Sequence, residues 1–142
     1  MRLAIIALAA SVVCAGAVAV AAKPAKESPL GPPPPVGTGL PAGQCIRGHD
    51  IRNHTVADND TLLINVDGRA TYRVTVSGAC LGGAVSSDPI ITREPPGSQI
   101  ICRPMDLDLS IVKAGFESRC IVRSIVRMTP EELEALPPRL RP

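Results

Sequence analysis

From about residue 44 to residue 128, apolar side chains recur at every second position more often than every third or fourth, and β-branched residues are abundant. That period predicts strands rather than helices. Six are expected, over roughly 44–56, 61–66, 70–77, 99–103, 106–113 and 119–127. In the stretch MDLDLSIV, Leu107, Leu109 and Ile111 alternate with Asp106, Asp108 and Ser110, so this strand has one wet side.

The segment TLLINVDGRATYRVTV reads as a hairpin whose register can be worked out. A two-residue Asp67-Gly68 turn would oppose Val66 to Arg69 and Ile64 to Thr71, setting one apolar row against a polar one. A slip of one residue moves every side chain to the other face, so the buried face decides the register. Matching Ile64 to Tyr72 and Leu62 to Val74 requires an odd-length loop or a bulge around Asp67 to Arg69.

The chain ends MTPEELEALPPRLRP. Thr129 as N-cap, Pro130 at the first helical position and Glu132 three residues after the cap form a capping box, and Pro137-Pro138 stops the helix. The expected fold is mainly β: a small antiparallel twisted sheet or barrel, occupying 44–137, with a short C-terminal helix and a disordered tail over 138–142.

Two segments precede the strands. Residues 1–22 run from one basic residue, Arg2, through apolar and small side chains to Val20-Ala21-Ala22, the pattern of a cleaved secretory signal peptide. A retained membrane anchor and a lipoprotein modified at Cys14 are the other readings. Ser11-Val12-Val13 is a poor lead-in to a lipidated cysteine, because that peptidase wants a small residue directly before it. Residues 23–43 hold seven prolines and four glycines with hardly a large apolar side chain, so a disordered, partly polyproline-II tether is expected there.

Composition narrows the partners. Of 15 basic residues Arg2 departs with the leader, and the remainder all but balances 13 acidic ones, which gives no electrostatic case for nucleic acid or anionic lipid. The aromatic residues are Tyr72 and Phe116, too few for base- or sugar-stacking platforms. Membrane contact is expected only through the signal peptide, and the mature protein is expected to be a monomer in the periplasm or secreted.

After the leader, Cys45, Cys80, Cys102 and Cys120 remain. An even set in an oxidising destination implies two disulfides, with three connectivities open. No C-x-x-C knuckle suggests zinc.

The stretch GQCIRGHDIRNH, residues 43–54, concentrates a cysteine, two histidines and an aspartate. On a strand, Cys45, Arg47, His49 and Ile51 share one face while Ile46, Asp50, Arg52 and His54 share the other, so the histidines point apart. His49 and His54 would form a metal or catalytic pair only if a turn at Gly48 brought them together. No other chemistry is better supported. Ser77 sits in Val76-Ser77-Gly78-Ala79-Cys80, which is no G-x-S-x-G elbow, and a Cys-His enzyme needs a free thiolate. Asp106 and Asp108 on one strand face read as a solvated surface unless a histidine lies beside them. Asp58-Asn59-Asp60 lacks the glycine and distal glutamate of a calcium loop and reads as a turn. Arg119, Arg123 and Arg127 would lie on one strand face as a basic strip or a solvated outer surface. No cofactor and no catalytic residue is expected.

Cys45-Ile46 opening the first strand, the Tyr72-Arg73 hairpin ending near Cys80, then Cys102, Cys120 and a strand running into Thr129-Pro130-Glu131-Glu132 together resemble a family of small exported proteins of Gram-negative bacteria. That family is a domain of unknown function with four cysteines. The resemblance covers residues 44–136 and implies location and fold, with no catalytic residues to carry over. For connectivity, Cys45–Cys120 would tie the opening strand to the closing one, and Cys80–Cys102 would fasten an irregular loop over 79–101. The expected function is a non-enzymatic binding or structural β-domain of the cell envelope, taking an envelope protein or a small ligand. A second expectation is an inhibitor of a periplasmic or host hydrolase, with residues 81–98 as the presenting loop, and the third is a metal-binding protein or enzyme using His49 and His54.

Overall fold

The computed structural model describes residues 29–93 and 100–142. The expected leader, Cys14, the start of the expected tether and residues 94–98 of the proposed presenting loop lie outside the described residues. Strands β1 (Ile46–Arg47), β2 (Ile51–Val56), β3 (Thr61–Val66), β4 (Ala70–Ser77), β5 (Ile90–Arg93), β6 (Ile100–Ile101), β7 (Asp108–Lys113) and β8 (Phe116–Arg127) precede a short α-helix, α1 (Pro130–Ala135). Six of them form an antiparallel sheet in the order β2-β3-β4-β8-β7-β5, curled into a half-barrel, and β1 pairs separately with β6.

The β3–β4 hairpin has the register that burial demands. Ile64 lies opposite Tyr72 and Leu62 opposite Val74, across a three-residue loop in which Asp67 and Gly68 adopt φ of 53° and 67°. Positive φ is cheap for glycine and tolerable for aspartate. Asn65 Oδ1 steadies the loop by accepting from Gly68 N at 2.8 Å. Leu62, Ile64, Tyr72, Val74, Leu109, Ile111 and Ile125 form the centre of the main core on one face of the sheet. The capping box also forms: Thr129 Oγ1 accepts from Glu132 N at 3.2 Å, and Glu132 Oε2 accepts from Thr129 N at 2.7 Å.

Four expectations are corrected. First, the disulfides are Cys45–Cys102 and Cys80–Cys120, in place of Cys45–Cys120 and Cys80–Cys102. The cause is register: Ile46 lies opposite Ile101, which puts the preceding Cys45 beside the following Cys102. Cys120, opposite Leu109 in the large sheet, is instead reached by Cys80 just beyond the end of β4. Second, the loop over 79–101 contains β5, an edge strand paired to β7 from Ile90–Ile111 to Arg93–Asp108. Its four residues are too few for periodicity to declare them.

Third, residues 29–43 are no free tether. Leu40 is buried in the main core and its N–H donates to Cys102 O at 2.7 Å. Gly39 passes so close that a Cβ there would lie 2.5 Å from Cys102 O. Strand β8 explains the rest: its first half pairs with β7 and its second half with β4, leaving the far edge of the second half open. The strap fills that edge, Gly37 N donating to Arg123 O at 2.7 Å and Ile125 N to Thr38 O at 2.9 Å. Proline-rich chain loses little entropy on docking because its extended form is already preferred. Fourth, the tail docks as well. Leu140 packs with Leu63, Met128 and Leu136 in a second cluster to which Leu30 and Leu133 add. Arg141 holds the turn by donating to Glu134 O at 2.7 Å and Leu136 O at 3.2 Å.

Candidate functional site

Strand β4 turns Tyr72, Val74 and Val76 into the main core, so Thr71, Arg73 and Thr75 face the other way. A half-exposed antiparallel sheet would leave these three in water. Here they are buried, because the strap, the 57–61 turn and the C-terminal tail close over them. Between these segments lies a cleft of about 760 Å³, with Arg73 and Thr75 among its lining residues. That size is ordinary for a small-molecule site.

Arg73 is the organising side chain. It is only 9% exposed, and its guanidinium donates from Nη1 to Leu30 O at 2.6 Å and Pro32 O at 3.1 Å, and from Nη2 to Gly31 O at 3.2 Å. Three successive carbonyls, of Leu30, Gly31 and Pro32, suit the planar fork of donors that a guanidinium presents. Burial pulls the Arg73 pKa below the ordinary arginine value, opposed by the negative charges of Asp58 and Glu132. An arginine remains protonated through such a shift.

Beside it the polar groups are incompletely matched. Arg73 Nε, Thr75 Oγ1 and Ser124 Oγ are buried and have no hydrogen-bond partner among the described residues. Thr75 lies directly opposite Ser124 in the β4–β8 register. Since buried polar groups are almost always bonded, three together call for an explanation. Arg123 and Arg139 also line the cleft. So do Asp58 and Asp60 of the turn, where Asp58 Oδ1 accepts from Asp60 N at 2.9 Å in the expected turn geometry.

Elsewhere the residues singled out by pattern are engaged separately. A 3-10 turn at Gly48–Asp50 splits the expected 44–56 strand. His49 Nε2 lies 3.2 Å from Asp50 Oδ1, while His54 Nε2 is 2.9 Å from Asp88 O, where it clasps β2 to the segment leading into β5. Asp106 and Asp108 do not share a strand face: Asp106 ends the 3-10 turn Pro104–Asp106 and Asp108 opens β7. A hydrogen bond from Arg103 holds the Asp106 carboxyl below its usual range, with backbone N–H groups of Cys102 and Arg103 assisting. Arg119 does the same for Asp108, and Arg93 for Glu117. His49 and His54 thus contact Asp50 and the Asp88 carbonyl separately, and no group of three His, Cys, Asp or Glu suited to a metal ion occurs among the described residues.

The basic strip is also redistributed. Thr75 pairs with Ser124 but the next residue, Val76, pairs with Val122, so Arg123 is the extra residue of a β-bulge. The bulge shifts the alternation: Arg119 lies opposite Ser110, whereas Arg127 lies opposite the core residue Tyr72. Spacing by four cannot reveal a bulge between its members. Sequence reasoning likewise passed over Thr75 and Ser124, although a run of Thr, Arg and Thr alternating with core residues on β4 carries the signal.

No family model, curated protein or solved structure matches the chain. Two disulfides mark an oxidising environment. Among the described residues no helix is long and apolar enough to cross a membrane.

Proposed function

We propose that this chain is an exported, non-enzymatic binding domain of the cell envelope, monomeric in the periplasm or beyond it once residues 1–22 are removed, and that the cleft under the strap receives a small ligand. The observation that carries this reading is a set of buried polar atoms without a hydrogen-bond partner among the described residues: Arg73 Nε and Thr75 Oγ1, whose residues line the cleft, and Ser124 Oγ, whose residue lies opposite Thr75. A ligand group that bonds them offsets a desolvation cost otherwise borne by the fold, about 1–3 kcal/mol for each atom. The inhibitor reading has less support. Leu81 is buried, and Ile90 and Ile91 belong to β5, which leaves Val85 as the exposed large apolar side chain of the described part of that loop.

Native mass spectrometry of the protein recovered from a periplasm tests the proposal. The expected result is a polypeptide beginning at Lys23 that carries a small molecule released on denaturation, with occupancy lowered by Thr75→Val. A bare polypeptide even after incubation with a whole envelope extract would count decisively against it.

A further inference from the structure

We infer that the ligand of this cleft is an organic oxyanion, a carboxylate or phosphate ester on an apolar body. The inference rests on the binding reading above and adds the chemistry of the ligand.

The charge of the site points to it first. Three arginines, Arg73, Arg123 and Arg139, line a cleft that has two aspartates, Asp58 and Asp60. Arg73 is buried, and its hydrogen bonds run to neutral carbonyls rather than to a carboxylate. Neither Arg123 nor Arg139 forms an ion pair among the described residues. The other end of the sheet behaves differently: Arg93 and Arg119 are each matched by a carboxylate there. Guanidinium forks bind carboxylate and phosphate oxygens with charge-assisted hydrogen bonds, about twice as strong as neutral ones.

The unpaired atoms point the same way. Arg73 Nε is an N–H donor, and the Thr75 and Ser124 hydroxyls can each donate one hydrogen. An oxyanion accepts from all of these kinds of group, whereas a cation could use only the two hydroxyl oxygens and is repelled by the Arg73 guanidinium. The size and walls supply the remaining part. A cleft of about 760 Å³ exceeds what an inorganic ion fills, and Pro33, Pro34, Val36 and Leu140 give it apolar lining.

The test uses octanoate and octyl phosphate as probes, with octyl glucoside as a neutral control of the same tail, all below their micelle-forming concentrations and at constant ionic strength. Binding to the full mature chain is followed through the Thr75 and Ser124 amide resonances and by calorimetry. Saturable binding of one or both anions, with none of the glucoside, is expected, and the two anionic arms tell carboxylate from phosphate. The exposed pair Arg123→Gln and Arg139→Gln should fold normally and weaken anion binding about tenfold or more. Thr75→Val provides an independent check from the buried side. Equal binding of anions and glucoside, or anion binding unchanged in the arginine pair, overturns the inference. Absence of anion binding also overturns it, while a different molecule found in native mass spectrometry would leave the binding function standing.

Discussion

Two ends of one sheet face handle buried polarity in opposite ways. Over β5, β7 and β8, Arg93 donates to Ser110 Oγ at 3.2 Å and to Glu117 Oε1 at 2.6 Å, and Arg119 binds Asp108 through both carboxylate oxygens. Over β4 and the second half of β8, Arg73 donates to the backbone carbonyls of Leu30, Gly31 and Pro32, and the Thr75 and Ser124 hydroxyls have no hydrogen-bond partner among the described residues. At the first end the arginines are matched by carboxylates of the same sheet at solvent-exposed positions. The second is covered by a strap that satisfies part of its donors, and the proposed ligand is placed there for that reason.

The largest test of this contrast is to remove one arginine from each end. Arg73→Met strands three strap carbonyls and should lower stability in urea by about 3 kcal/mol, with residues 29–36 becoming sensitive to protease. Arg119→Met should leave the urea midpoint nearly unchanged, since exposed ion pairs contribute little. Similar losses for both variants would erase the distinction.

Gly39→Ala comes next. A methyl 2.5 Å from Cys102 O forces the strap off its seat, at a cost of about 2 kcal/mol. Hydrogen exchange should show Leu40 N–H, bonded to Cys102 O, opening faster while the amides of β7 keep their protection.

Hydroxyl removal should then produce opposite signs. Thr75→Val deletes an unpaired buried group and should raise stability by about 1 kcal/mol, at the expense of ligand binding, whereas Ser110→Ala deletes an acceptor of Arg93 and should lower it by about 1 kcal/mol. Thermal melts of both proteins without ligand decide the matter.

The smallest effect is that of pH. Arginine hydrogen bonds depress the folded pKa values of Asp108 and Glu117. Depressed carboxylates contribute stability that is present above their unfolded values, about pH 4, and lost as pH falls through the folded ones. Acid below about pH 4 should therefore loosen the ion-paired end first, visible in the side-chain resonances of Arg93 and Arg119. The contacts of Arg73 run to carbonyls that do not titrate and should persist further into acid.

Much of the sheet was legible along the chain. The odd loop after Val66 followed from Ile64 having to meet Tyr72, and the helix start followed from Thr129, Pro130 and Glu132. Both depend on residues a few positions apart. The site was not legible in this way. Arg73 meets Leu30, Gly31 and Pro32 more than forty positions away, and a segment with so little apolar surface looked unable to order itself.

The sequence by itself determined the alternation that builds the main core, the hairpin register and the helix cap, because local backbone geometry and side-chain period enforce them. Tertiary structure decided which cysteines join, that 29–43 and 138–142 dock, and that Thr75, Ser124 and Arg73 end up buried. The physical reason is that each depends on an open strand edge or a register between distant segments. Strand β8 outruns β7 and needs a partner, β1 aligns with β6, and only then do the strap and tail cover polar groups that the pattern along the chain assigns to water.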